Sequence, residues 1–415
     1  MICLITQTNS RQKENSRPMT VSEIKTSGLA SKRSEKLGVS GIRLIFEKAQ
    51  RVPDVIRLEF GEPDFDTPQN IKDAAIRAIL AGKTKYTSSA GMPELRKAIS
   101  KKLEQENRIF YDPAKEIIVS AGATSGINLS LLATVDEGDE VLVPNPGWAT
   151  YVYGVTLVGA RPVPYNLDPA SGYSFRREIA ETLVTKRTKA ILINTPSNPM
   201  GTVCSKENLQ EIAEFAQDHN LMALSDEVYE KFLYADSPGS DLRHTSIASL
   251  PEMKDRTLTI NSFSKTYAMT GWRIGYVAAN EQTVQALIKI LTAANSCIST
   301  ISQFAALEAL NGPQDSIRQM IETYRKRRDL TVSRLNEIQG FSCPMPSGAF
   351  YAFPDISGTG LNSFDLAMKI LDQAHVATVP GSAFGSLGEN HLRIAYANSL
   401  ENIELGLDKI SKIIN

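Results

Sequence analysis

Ser262-Phe263-Ser264-Lys265, followed by Thr270-Gly271-Trp272-Arg273, gathers two serine hydroxyls, an amine and a guanidinium in one short stretch. A lysine amine condenses with an aldehyde to a Schiff base, while hydroxyls beside a fixed guanidinium hold a phosphate. A cofactor with both an aldehyde and a phosphate needs such a stretch. Most of the 45 basic residues in a chain like this lie on solvated faces, so Lys265 gains its meaning from the other segments. Ser225-Asp226-Glu227-Val228-Tyr229 follows the apolar run Leu221–Leu224. A carboxylate there either caps the next helix or keeps a heteroaromatic ring nitrogen protonated, so that the ring accepts the electrons of a carbanion. Tyr229, three residues on, can then bond the ring's phenolic oxygen. Pyridoxal phosphate makes all these demands at once.

The elements that must position these groups follow from the apolar pattern. Glu116–Ser120, Glu140–Val143, Ala190–Asn194, Leu221–Leu224 and the run Thr257–Ile260 read as strands, with helices over Ser125–Val135 and Glu207–Asp218. Short apolar strands separated by helices predict an α/β fold with a mainly parallel sheet sandwiched by helices. Ligands of such sheets gather at the carboxyl ends of the strands, and the polar residues fall there. Ala121-Gly122-Ala123-Thr124 follows the first strand; small residues at a strand-to-helix turn expose N–H groups to an anion, although tight turns also use glycine for steric reasons alone. Pro144-Asn145-Pro146-Gly147-Trp148 brings one of only two tryptophans, able to stack on a planar ring or simply to pack in the core. Thr195–Gly201 is a proline-rich loop that can present Asn198.

Composition excludes several other classes. A chain of 415 residues exceeds what one core usually supports, so two domains are expected. Hydrophobic content of 42% and charged content of 22% are those of an ordinary globular protein. A net charge of −1 gives no reason to expect nucleic acid or a membrane as partner. Cys3, Cys204, Cys297 and Cys343 form no Cys-x-x-Cys pair, and the four histidines lack ligand spacing, so neither metal nor disulfide framework is expected and a reducing cytoplasm fits. No apolar run reaches the ~20 residues of a membrane span. Residues 1–20 read as a disordered extension, with Met19 an alternative start. No Gly-x-Gly-x-x-Gly follows an early strand, which argues against a dinucleotide enzyme.

Together these segments resemble the class I/II aminotransferases of pyridoxal-phosphate fold type I, over about residues 25–412. The resemblance rests on Gly61–Pro68, Lys85-Tyr86 with Gly91–Arg96, Asn198–Gly201, Ser225–Tyr229, the lysine segment, Pro346–Tyr351, Val379–Gly381 and Leu392–Tyr396, all in family order. It implies a large cofactor-binding domain over about 68–311 and a smaller α+β domain from 21–67 and 312–415. Lys265 becomes the Schiff-base lysine and proton shuttle. Asp226 becomes the partner of the ring nitrogen, Asn198 and Tyr229 those of the phenolic oxygen, and Trp148 the stacking aromatic. Ala123, Thr124, Ser262, Ser264 and Arg273 match the phosphate cradle. Tyr86 matches a tyrosine that reaches the neighbouring subunit's phosphate, implying a homodimer with shared active sites. Arg393, with Asn198 and the backbone near Gly61, resembles the clamp on the substrate α-carboxylate, whereas read by itself it could be a structural salt bridge.

Such an enzyme moves an amino group from an L-amino acid to a 2-oxo acid with ping-pong kinetics. One branch of the family carries a lysine where Thr124 stands, which argues against a dedicated aspartate or prephenate role unless an arginine from elsewhere substitutes. Wording such as Arg243–Ile247 and Phe263–Thr270 is closer to broad or aromatic-preferring members. The expected reaction is therefore broad transamination of aromatic or aspartate-type donors, with glutamate and 2-oxoglutarate as common partners. A carbon–sulfur β-lyase on the same fold would share every cofactor residue. A regulator built on this fold would need a DNA-binding module, for which residues 1–20 are too short.

Overall fold

A computed structural model describes residues 31–38, 41–234 and 243–414. The expected extension over residues 1–20, and Cys3 within it, lie outside them. Seven strands form one sheet: β1 (Ile117–Ser120), β2 (Glu140–Asn145), β3 (Arg161–Asn166), β4 (Thr188–Asn194), β5 (Met222–Asp226), β6 (Thr257–Ser262) and β7 (Gly275–Ala278). Their order is β1-β7-β6-β5-β4-β2-β3. Strands β2 to β6 pair in parallel, and β7 runs antiparallel to both its neighbours, β6 and β1. The mainly parallel sheet expected from the sequence is present: the five strands read there have ends displaced by two residues or fewer, while β3 and β7 were not read.

Side chains of the strands alternate between two covered faces, as the period of two requires. Ala190 and Leu192 of β4 enter one core, whereas Ile191 and Ile193 enter the other. The second of these cores is closed by the helix Lys206–Asp218, which buries Leu209, Ile212, Ala213, Phe215 and Ala216 along one stripe. Its first turn is capped by Ser205, whose hydroxyl accepts from the Asn208 N–H at 3.1 Å. The helix after β1 runs from Gly122 to Thr134, three residues earlier than expected, because Gly122 takes a φ of +78° and lets the chain turn straight into it.

A third core draws on both ends of the described chain. Ile45, Ala49, Ile56 and Leu58 pack there with Tyr324, Leu335, Ile370, Ile394 and Ile410. Ile56–Arg57 pairs in parallel with Val376–Ala377. Leu392–Ala395 lies antiparallel between Val379–Pro380 and Tyr351–Ala352. Asp64 of the early segment grips Arg327 through both carboxylate oxygens, at 2.7 and 2.8 Å. Val228, Tyr229, Phe232 and Tyr234, just beyond β5, insert into this same core, so the sheet and the third core are interlocked beside Asp226.

Candidate active site

Strands β1, β2, β4, β5 and β6 deliver their carboxyl ends to one rim, and a cavity of about 560 Å³ opens there. Gly61, Ala123, Thr124, Trp148, Asn198, Asp226, Tyr229, Ser262, Ser264, Lys265, Arg273 and Arg393 all line it. Tyr86 does not. It is 89% exposed, in a separate open depression with Lys85, Cys297 and Thr300.

At one end lies the start of the Gly122–Thr134 helix. Arg273 adopts a left-handed backbone (φ 51°), and its Nη1 donates to the Thr270 carbonyl at 2.9 Å. Its Nη2 sits so close to Gly122 that a Cβ there would come within 2.7 Å of it. Gly275 of β7 allows the sheet to approach the same turn, since a Cβ on it would lie 2.6 Å from the Asn261 carbonyl oxygen and 3.0 Å from the Gly122 carbonyl carbon. The buried hydroxyls of Ser262 and Ser264 complete a concave set of donors. Helix N–H groups, two hydroxyls and a guanidinium suit a phosphate dianion.

Asp226, 2% exposed, ends β5. Tyr151 donates its hydroxyl hydrogen to Oδ2 at 2.8 Å, while Oδ1 receives only a long backbone contact from Val228, at 3.4 Å. No helix begins among the described residues 227–234 that follow it, so the capping alternative fails. Burial raises its carboxyl to about 6, a shift that the Tyr151 hydrogen bond opposes. Trp148 stands edge-on to Tyr151, with centroids 5.6 Å apart. The Tyr229 hydroxyl is shared with Tyr351 at 2.7 Å.

Lys265 points its Nζ at the Gly61 carbonyl, which it hydrogen-bonds, and lies 5.9 Å from the centre of the Phe350 ring. Burial pushes its ammonium down to about 8; Glu62 opposes that shift, while the guanidinium groups of Arg393 and Arg273 reinforce it. Opposite, Arg393 is 3% exposed. Its Nη1 donates to Asn198 Oδ1 at 3.0 Å and its Nη2 to the Glu59 carbonyl at 2.6 Å. The rings of Tyr351 and Phe384 flank it at 4.7 and 5.0 Å, and its Nε has no hydrogen-bond partner. Among the described residues no carboxylate lies within ion-pair distance, so the structural salt bridge is not formed. A buried cation without an anion is prepared for an incoming one.

Several residues escaped the sequence reading. Tyr151 holds Asp226, and Tyr351 holds Tyr229. Asn194 Oδ1 accepts from the Asn198 N–H at 2.8 Å, and its Nδ2 donates to the Asp226 carbonyl at 3.1 Å, tying two loops together. Ile42, Arg43 and Phe46 of the Gly41–Ala49 helix form part of the cavity wall. Tyr151, three residues beyond Trp148, and Tyr351, at the end of Pro346–Tyr351, were the only local signals.

The donor set fits pyridoxal phosphate: an amine for the aldehyde, a buried carboxylate for the ring nitrogen, and an anion cradle for the phosphate. With the sheet that carries them, these groups define an enzyme of pyridoxal-phosphate fold type I. The chain belongs to the family described as aminotransferase class I and II, which it matches over residues 53–410. It is 43% identical over 386 residues to an aspartate aminotransferase of Pyrococcus abyssi, covering 92% of this chain and 98% of that protein. It is 40% identical over 386 residues to aromatic-amino-acid aminotransferase 2 of Thermococcus litoralis, with 92% and 98% covered. The solved aromatic aminotransferase of Pyrococcus horikoshii superposes with a TM-score of 0.84 at 42% identity, covering 89% of this chain and 98% of that one. The family uses pyridoxal phosphate, and the chain is an enzyme of amino-acid transamination. Among the described residues there is no cluster of metal-ligating side chains and no helix long and apolar enough to cross a membrane.

Proposed function

We propose that this enzyme exchanges α-amino groups between a broad set of L-amino acids and 2-oxo acids, accepting both aromatic and aspartate-type donors, with glutamate and 2-oxoglutarate as the common pair. The observation that carries the reading is the single cavity in which Lys265, Asp226 and the unpaired Arg393 face one another. Relatives named for aspartate and for aromatic amino acids resemble the chain to a similar degree, which supports breadth.

Pyridoxal phosphate, when bound, supplies an aldehyde that takes the amino group and a ring that takes up electrons from a broken Cα bond. The remaining work belongs to the chain. Arg393, fixed by Asn198 and the Glu59 carbonyl, grips the α-carboxylate through two parallel hydrogen bonds and so sets which Cα bond breaks. Lys265 takes the Cα proton on Nζ and returns it elsewhere; an amine pushed down to about 8 is partly unprotonated near neutral pH. Asp226 holds the ring-nitrogen proton, steadied by Tyr151. Tyr229 and Asn198 serve the phenolic oxygen and Trp148 the ring face. Ala123, Thr124, Ser262, Ser264 and Arg273 hold the phosphate.

The enzyme acts as a cytoplasmic homodimer, with Tyr86 completing the neighbouring subunit's phosphate site. An 89% exposed tyrosine a few residues along the chain from the exposed apolar residues Ile76, Ile79 and Leu80 supports this. Residues 21–67 with 312–415 form the small domain and 68–311 the large one, in keeping with a core built from both chain ends. Closure of the small domain would exclude water from the bound substrate.

The test is an absorbance spectrum of the loaded enzyme before and after L-glutamate, with L-phenylalanine and L-aspartate on fresh samples. Loss of the visible cofactor band with release of a 2-oxo acid is expected for each donor. Failure of both phenylalanine and aspartate defeats the proposal. Release of pyruvate and ammonia from a cysteine conjugate, with no conversion by amino acids, would place the enzyme among the lyases.

A further inference from the structure

Four basic side chains line the cavity, and three of them have tasks. Lys265 faces the Gly61 carbonyl, Arg273 closes on the helix turn at Gly122, and Arg393 is tied to Asn198 and the Glu59 carbonyl. Arg43 remains. It stands on the Gly41–Ala49 helix, on the wall it shares with Ile42 and Phe46. Its side chain is 74% exposed, and its ion pair runs from Nε to Glu47 Oε1 at 2.8 Å, one turn along the same helix. Exposed pairs of this kind hold weakly, so the guanidinium can exchange one carboxylate for another.

The helix beneath Arg43 is anchored. Phe46 meets Phe60 edge-on at 5.4 Å, and Arg57 packs over both rings at 5.2 and 4.4 Å. The cavity's own carboxylates are otherwise engaged: Glu62 accepts from the Thr270 hydroxyl at 3.0 Å, Glu59 pairs with Arg57, and Asp226 accepts from Tyr151. Glu47 is thus the carboxylate that holds Arg43. Thr124, which also lines the cavity, offers no cation for a second carboxylate.

We infer that Arg43 is the residue that binds the distal carboxylate of dicarboxylic substrates, releasing Glu47 to do so. This rests on the proposed function and names the specificity residue of that same site. Aspartate, glutamate and 2-oxoglutarate would then bridge two arginines, the buried Arg393 and the exposed Arg43. An aromatic substrate would leave Arg43 on Glu47 and pack its ring toward Phe46 and Ile42. A cation that turns away accounts for both donor classes in one cavity without a second pocket.

The experiment uses the loaded dimer with Arg43→Met and Arg43→Lys. Two quantities are read: the ratio of kcat/KM for aspartate over phenylalanine, and the Kd of maleate, an unreactive dicarboxylate. In Arg43→Met the ratio is expected to fall by roughly tenfold or more, mainly through KM, as loss of a charged hydrogen bond implies. Maleate affinity should fall in step, and Arg43→Lys should recover part of both. If wild type turns over aspartate and binds maleate but Arg43→Met changes neither ratio nor Kd, the inference is overturned while the proposed function stands. If wild type does neither, the dicarboxylate half of the proposed function falls and the inference falls with it.

Discussion

Burial acts in opposite senses on Lys265 and Asp226, which line one cavity. Lys265 is driven down to about 8, toward the form that can accept a proton, and Asp226 is driven up to about 6. Lys265→Ala should therefore reduce turnover by roughly a thousandfold or more, measured by single-turnover absorbance with glutamate; near-normal transamination would refute its role. Asp226 allows a separate test in the cofactor-free protein. Its carboxyl titrates at about 6 folded but near its ordinary 3.8 unfolded, so the folded chain holds the proton over a wider range. The associated stability is present below about pH 4 and lost as pH rises through 6, on the order of 3 kcal/mol for a shift of this size. Asp226→Asn should melt above wild type at pH 7.5, with the difference closing toward pH 4, and should turn over poorly once loaded. A melting difference that does not change with pH would show that the buried charge is not its source.

The elements that bear the site were legible where a local signal announced them. Short apolar runs ended by Asp226, Asn194 or Ser262 gave the parallel strands, because a strand buried on both faces has little choice but to be apolar. Strand β7, reversed between β6 and β1, was not read, since Gly275–Ala278 carries nothing to mark its direction. Tyr151 was invisible as a site residue for a related reason: its partner Asp226 lies 75 positions away, and no local spacing encodes that meeting. Arg43 and Phe46 were not singled out in the sequence at all, because their place against the cavity is decided by tertiary packing. The Gly122 turn is the element most exposed to a single change. Gly122→Ala puts a Cβ on a left-handed backbone and 2.7 Å from Arg273 Nη2, so Arg273 must shift. Pyridoxal-phosphate affinity is expected to drop by about tenfold or more, with a stability loss of about 1 kcal/mol or more, measured by cofactor titration and thermal melting. Unchanged cofactor affinity would remove Arg273 from the phosphate cradle.

For the whole molecule, the expected sharing of sites between two copies has a direct test. In the proposed two-fold dimer, Tyr86 of one subunit would complete the site that holds Lys265 of the other. Mixing inactive Lys265→Ala subunits with Tyr86→Ala subunits should therefore rebuild one intact site per mixed dimer, giving roughly a quarter of wild-type activity on random assortment when cofactor is limiting. Activity no greater than the sum of the separate variants would show that Tyr86 serves no neighbouring site. The same integration appears at Arg393. It extends from a strand of the third core, and its two hydrogen-bonded partners come from the loop after β4 and from the early segment at Glu59. Three distant parts of the chain thus hold one positive charge where water cannot readily solvate it. In its proposed role that charge would act as a gate against amines: a molecule with the right side chain but no carboxylate leaves it unanswered, so decarboxylated amines are expected to bind poorly.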